Sequence, residues 1–317
     1  MVFVSIRGRV LLNVEAMNMT ESVGNYVKHR RVPVLLPDKG YTTYFVPAIS
    51  GESIAHGFQV LLADEAKRAN LSVCKLCEKG VFLKSTHENV YKEAFDQEPP
   101  KDEFQFESSV VGNCVVEDVG GFLYAPRAGG NVKRTSNFYT GYMIPVKESI
   151  ESAVIEPQLH SRYALGTKFV EGGEGQMIYY VELSSAVYTF SFDLDARYIG
   201  RATFSVEKAG EEVVEDRKER TEVTLEAIKK FLIEFTFGAK KTRFLPAMEW
   251  ESAVIAVSDD VWTIPSPFSV KYIENARKKL EKVNCNTELF VYPDGGSFEE
   301  VVIEAMEEAK SRVNGET

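Results

Sequence analysis

VFVSIRGRVLLNV, residues 2–14, alternates along its whole length. Val2, Val4, Ile6, Val10, Leu12 and Val14 fall on one face, with Phe3, Ser5, Arg7, Arg9 and Asn13 on the other, which is the period of a half-buried strand. The period returns in Met177–Leu194, where Tyr188, Phe190, Phe192 and Leu194 oppose Val187, Thr189, Ser191 and Asp193, and further strands are expected at Phe138–Val146 and Ala247–Val257. Helical spacing separates these runs. Ser50 is placed to cap a helix whose stripe is Ile54, Phe58, Leu61 and Leu62 and which reaches Ala69. Val223, Ala227, Ile228, Phe231 and Leu232 predict a second helix between Glu211 and Phe237, stopped by Gly238. The order strand, helix, strand, strand, helix, strand places the chain in the α+β class, with the ferredoxin-like arrangement used by RNA-recognition modules.

Outside this frame, Val32–Leu36 and Thr42–Pro47 flank a Pro37-Asp38-Lys39-Gly40 turn and predict a hairpin. Residues 70–137 lose regularity, with Pro99-Pro100, Gly120-Gly121 and Gly129-Gly130, and read as an insertion in the fold. The stretch ALGTKFVEGGEGQ, residues 164–176, holds four glycines and almost nothing to pack, so a hairpin at 164–177 is expected to project from the sheet. Residues 259–317 add a helix near Tyr272–Val283, a strand at Leu289–Tyr292 and a helix from Ser297. One elaborated domain thus spans 1–317, with its core in 1–69 and 138–258.

The chain has 317 residues and a formal charge of −10, yet twelve of its basic residues lie in four stretches without a single acid. These are Ser22–Pro37 (Lys28, Arg30, Arg31), Val119–Lys147 (Arg127, Lys133, Arg134, Lys147), Pro157–Val170 (Arg162, Lys168) and Phe235–Met248 (Lys240, Lys241, Arg243). Their convergence would make a cationic groove on an acidic body, the footprint of a polyanion binder. Charges interrupt the N-terminal apolar run, and no run approaches the roughly 18 apolar residues of a membrane span, so the cytoplasm is the expected compartment.

No G-x-S-x-G, phosphate-binding lysine loop, dinucleotide fingerprint or H-E-x-x-H occurs. Glu15 and Glu21 follow the first strand and read as solvated loop acids. The start of the helix at Ser50-Gly51-Glu52-Ser53 offers backbone N–H groups to an anion. Cys74-x-x-Cys77 is half a metal site that His87 and Cys114 would complete, against the plainer reading of buried thiols.

Residues 13–18 (NVEAMN), 21–30 (ESVGNYVKHR) and 46–56 (VPAISGESIAH) resemble the archaeal DevR-type CRISPR-associated autoregulator family. So do 118–124 (DVGGFLY), 133–136 (KRTS), 141–145 (GYMIP), 182–192 (ELSSAVYTFSF) and 243–246 (RFLP), in order from about residue 3 to 258. The resemblance implies the repeated backbone subunit of a type I-A Cascade complex, with an RNA-recognition palm, a finger at 70–137 and a thumb at 164–177. It implies CRISPR RNA as ligand, target DNA reached through that guide, copies of itself stacked head to tail and other Cascade subunits as partners. No catalytic residue, cofactor, metal or membrane partner is implied. The expected RNA contacts are Asn18, Asn25, Lys28, His29, Arg30, Ser50, Gly51, Ser53, His56, Lys133, Arg134, His160, Arg162, Lys168, Lys240, Lys241 and Arg243. Two other readings stay open: a metal-dependent ribonuclease, which the absence of Asp from the first loop disfavours, and a DNA-binding regulator.

Overall fold

The computed structural model describes residues 2–37, 40–84, 86–126, 129–163 and 176–315. In chain order its elements are β1 (Phe3–Glu15), β2 (Met19–Val23), β3 (Tyr26–His29), β4 (Arg31–Pro37), β5 (Tyr41–Pro47) and α1 (Gly51–Arg68). The insertion holds α2 (Glu88–Phe95), α3 (Glu103–Asn113), α4 (Val115–Gly120), β6 (Phe122–Tyr124) and β7 (Val132–Arg134). There follow β8 (Phe138–Thr140), β9 (Val154–Tyr163), β10 (Gln176–Asp195), α5 (Arg217–Glu234), β11 (Ala247–Ser258), α6 (Tyr272–Lys282), β12 (Glu288–Tyr292) and α7 (Phe298–Asn314).

The main sheet is mixed and runs β12-β11-β1-β10-β3-β2, with β8 and β9 also paired to β10. Strands β11, β1, β10 and β8 are antiparallel neighbours, whereas β3 joins β10 in parallel. β9 and β10 form a long antiparallel ladder from Ser185↔Val154 out to Gln176↔Tyr163. The tip of the expected thumb, 164–175 with Lys168, lies outside the described residues, as do Asp38, Lys39 and Arg127. β4 and β5 pair only with each other and leave Leu35, Tyr41 and Phe45 exposed.

Helix α1 starts where Ser50 caps the Ser53 N–H, carries Glu52 in its first turn and Lys67 and Arg68 in its last, and buries Ile54, Phe58, Leu62 and Ala66. It packs with α5 on one sheet face, where Phe58 meets Phe138, Phe192 and Phe231 at ring distances of 4.9, 5.0 and 6.1 Å. α5 stops at Glu234, three residues earlier than the glycine rule suggests. Phe235 takes the left-handed conformation (φ 44°) because its ring is fixed between Phe190 and Trp250 at 5.7 and 5.4 Å. The other sheet face is covered by the C-terminal addition: Val254 and Ala256 pack with Trp262, Ile264, Tyr272 and Ala276. β1 is therefore buried on both faces, with Ser5 accepting from Ile264 N and Arg9 donating to the Pro267 carbonyl.

Two sequence expectations fail at the end of β1. Val14 is exposed and Glu15 fully buried, because a bulge between Leu12 and Glu15, with Val14 at φ 59°, moves the alternation by one residue. Glu15 is thus no solvated acid: it accepts from Met17 N (2.7 Å), Tyr188 Oη (2.9 Å) and His29 Nε2 (2.5 Å). The His29 ring is equally enclosed, with its Nδ1 at 2.9 Å from the Arg30 carbonyl. Burial alone would lower its pKa, but the hydrogen bond and charge of Glu15, helped by the Arg30 carbonyl and Glu182, raise it.

Residues of the 70–137 segment share the hydrophobic cluster of the main sheet and are fixed to it by a second buried network. Arg134 reaches Glu107 at 2.9 Å and Asp118 at 2.5 Å, while its remaining N–H groups meet the Tyr198 and Arg201 carbonyls. Asp118 also takes Arg220 at 3.2 Å and the Gly200 N–H. Removing one partner from such a cluster leaves uncompensated buried charge. Arg134→Ala is expected to lower the unfolding free energy by about 3–5 kcal/mol in urea titration; a loss below about 1 kcal/mol would show the network to be dispensable. For His29 the folded pKa exceeds the unfolded one. Its contribution is complete below about pH 6.5 and disappears as pH rises through the folded value. The stability gap between wild type and His29→Gln, measured by urea midpoints across pH, should narrow with rising pH; a gap that widened would overturn the assignment.

Candidate nucleic-acid interface

The segment between β1 and α1 is laid against two others. Ile49 and Met143 exchange backbone hydrogen bonds at 3.0 and 2.9 Å, which brings Tyr142 beside the start of α1. Ala239 N donates to the Met17 carbonyl at 2.8 Å, and Gly238 (φ 87°) permits that approach, since a Cβ there would sit 2.8 Å from the same oxygen. The basic loop 238–244 is thereby held next to the loop after β1.

Two clefts result, sharing His56. One, of about 550 Å³, is lined by Asn18, Ser53, His56, Asp64 and Lys241 among others. The second, of about 750 Å³, is lined by Gly51, Glu52, His56, Gln59, Lys84 and Tyr142 among others. Arg30 stands over the Tyr142 ring at 6.0 Å and points a guanidinium nitrogen at its hydroxyl. His56 is exposed and meets Phe82 edge-on at 5.2 Å. At the start of α1 the Ser50 N–H is taken by Asn18 Oδ1 at 2.6 Å and the Ser53 N–H by Ser50, which leaves those of Gly51 and Glu52 ahead of the first intrahelical bond. A Cβ at Gly51 would lie 2.9 Å from the Thr140 carbonyl.

The base of the β9–β10 hairpin meets the same region. His160 stacks on Tyr179 at 5.3 Å and meets Phe244, from the basic loop, edge-on at 5.3 Å. Its Nε2 is buried without a hydrogen-bond partner. Lys240, Lys241 and Arg243 are exposed on that loop. Asn25 donates to the Ile178 carbonyl of β10 at 3.1 Å, and Lys28 pairs with Glu21 at 3.1 Å. Arg162 sits on β9 opposite Met177.

Four expected contacts are corrected. His29 and Arg134 are buried with their polar atoms engaged inside the protein, Ser50 uses its hydroxyl as a helix cap, and Asn18 is nearly buried with its side-chain oxygen on Ser50 N. His29 and Arg134 come from acid-free stretches, and Ser50 and Asn18 meet at the α1 cap, where residue type does not separate a ligand contact from an internal one. Lys133 is exposed but lines a different depression with Tyr139 and Phe204. Residues overlooked in the sequence are Lys84, Tyr142, Phe244 and Gln59. Gln59 is fully buried with both amide atoms unpartnered, and a polar residue on the core stripe of α1 was the signal for it.

Among the described residues no helix is long and apolar enough to cross a membrane. The chain is 39% identical over 280 residues, covering 86% of it and 85% of the relative, to the CRISPR-associated aCascade subunit Cas7/Csa2 2 of Saccharolobus solfataricus. It is 34% identical over 293 residues, 91% and 87% of the two chains, to CRISPR-associated protein Cas7/Csa2 1 of the same organism. Its fold resembles a chain of a CRISPR RNA-guided surveillance complex in a pre-nicking state, with a TM-score of 0.52 at 13% identity over 97% of this chain and all of that one. A family model, CRISPR-associated negative auto-regulator DevR/Csa2, matches residues 6–277. The bulged first strand, the capped helix beside it and the glycine-held basic loop are therefore those of a member of the DevR/Csa2 family of CRISPR-associated proteins, a Cas7-type subunit of Cascade.

Proposed function

We propose that this subunit binds CRISPR RNA along the clefts at the start of α1 and presents its bases to target DNA in antiviral defence. The observation that carries the reading is the meeting of three distant segments around α1: the Tyr142 segment, the basic loop and, through His160 and Phe244, the hairpin base. Arg30, His56, Lys241 and the Gly51 and Glu52 N–H groups supply cations and donors suited to phosphate. Lys28, Asn25, Ser53, Lys240 and Arg243 extend the same track, and Arg162 and Lys168 are proposed as contacts from the sequence. Such contacts hold a backbone without reading sequence, so specificity is left to base pairing.

The palm is of the ferredoxin or RNA-recognition type. What supports this is the chain order β1, α1, β8, β10, α5, β11 with lateral order β11-β1-β10-β8. Copies stack head to tail, and an open contact of that kind makes a filament. The exposed Leu35, Tyr41 and Phe45 of the β4–β5 hairpin favour a second copy as one neighbour, with other Cascade subunits at the ends. We read the subunit as non-catalytic: what supports this is that Glu15, the acid that ends β1, is buried and triply hydrogen-bonded.

Filter binding should show affinity for single-stranded RNA of any sequence, with log K falling by roughly 0.7 per neutralised phosphate against log salt. Lys241→Ala and Arg243→Ala should weaken binding and each flatten that slope by about 0.7, with the melting temperature retained. Preference for duplex DNA would favour a regulator, and cleavage of labelled RNA in Mg²⁺ would favour a nuclease. Replacing Thr167–Gly175 by a short Gly-Ser turn should leave the melting temperature nearly unchanged but disturb regular spacing on a long guide in electron micrographs; unaltered spacing would remove the thumb from the proposal.

A further inference from the structure

Three cysteines of the insertion meet beneath α1. The sulfurs of Cys74, Cys77 and Cys114 all lie within 4.8 Å of one another, and all three residues are buried. Cys74 and Cys77 form a tight knuckle: the Cys77 N–H hydrogen-bonds to the Cys74 sulfur at 3.4 Å, and Gly80 closes the turn at φ 72°. Cys114 joins α3 to α4, and the Val115 N–H beside it is bound to the Ser72 carbonyl at 2.9 Å, which fixes the knuckle against the helix junction. One turn further along α4 is Glu117, fully buried, with Oε1 taking Cys77 Sγ and Leu83 N at 2.9 Å each. Its other oxygen, Oε2, is buried with no partner. His87, the fourth ligand considered from sequence, is exposed at the start of α2 and outside the cluster.

We propose that Cys74, Cys77, Cys114 and Glu117 form a structural site for Zn²⁺. Soft thiolates with one carboxylate, closed off from solvent, suit tetrahedral zinc. Zinc–sulfur bonds of about 2.3 Å place tetrahedral sulfurs roughly 3.8 Å apart, so the three sulfurs need only small adjustments, and Glu117, already at Cys77, would turn toward the other two. The unpartnered Glu117 oxygen gains a ligand, and the leftover negative charge faces the Lys84 ammonium, which is held at the Gly120 carbonyl at 2.8 Å. The Cys77 N–H on the Cys74 sulfur acts as outer support for a thiolate ligand. The ion would join points 40 residues apart, the separation of Cys77 and Glu117, and so close the 70–137 segment on itself.

The test uses the full chain, purified without added metal, dialysed against EDTA and analysed by plasma mass spectrometry. One zinc per chain is expected, released in a single step to the dye 4-(2-pyridylazo)resorcinol as a mercurial titrates the thiols. Refolding with Co²⁺ in place of zinc should give a thiolate-to-cobalt charge-transfer band and the intense visible absorption of a tetrahedral ion. Glu117→Gln keeps the three sulfurs and should release zinc to the dye roughly tenfold faster or more. Cys114→Ser should lose the metal; if that variant does not fold, the wild-type stoichiometry and the Glu117→Gln release rate still decide. A metal-free chain that takes up neither ion, or a disulfide between any two of the three cysteines, would overturn the site. Release from Glu117→Gln at the wild-type rate would remove Glu117 from it.

Discussion

The buried pairing of Arg134 and Arg220 with Asp118 and Glu107 is the constraint on which the remaining architecture rests. Four charges away from water are tolerable only because nearly every donor and acceptor has a second partner: Thr203 and Phe204 N–H groups on Glu107, the Gly200 N–H on Asp118, and the carbonyls of Val111 and Gly112 under Arg220. These partners come from α3, α4, β7, the turn after β10 and α5. An insertion that reads as an appendage in sequence is thereby part of the same cooperative unit as the sheet. α4 then packs against α1, whose opening turn faces the clefts, so interface geometry is set partly by charges far from any ligand.

What could be read from the sequence was whatever periodicity encodes. β1, α1, β10, β11 and the C-terminal elements lie within a few residues of where alternation and helical spacing put them. The strand expected at Phe138–Val146 shrinks to three residues because Ile144–Val146 make only isolated contacts with β10. Glu15 was misread because one residue of positive φ reverses inside and outside, and nothing in the letters Asn-Val-Glu announces it. Polarity says how strongly a group is hydrated but not who replaces the water. Hence His29 and Arg134, cationic residues in acid-free stretches, turned out to be internal, whereas Lys240, Lys241 and Arg243 stayed outside.

Family membership and geometry inform different levels. Identity of 34–39% over most of the chain establishes kinship, and that kinship says nothing about which loop grips what. The close approach at Gly238, the Ile49–Met143 bridge and the His160–Phe244 contact are features of this chain, and they bring the loop 238–244, the Tyr142 segment and the base of β9 and β10 together near the start of α1.

The sheet has one further property, visible in its edges. β12 and β2, which end the path β12-β11-β1-β10-β3-β2, are five residues each; β12 begins with Glu288 and runs into Pro293, and β2 carries exposed Glu21, while β9, ten residues long and paired to β10, forms a further edge. Short, charged, proline-ended edges resist pairing with a neighbouring sheet. A subunit that lines up with its own kind must avoid polymerising through its backbone, or it would grow into fibres at cellular concentration without a template. With that route closed at these two edges, growth of the proposed filament would depend on side-chain contacts and on whatever threads the copies together, and its length would be a property of the template.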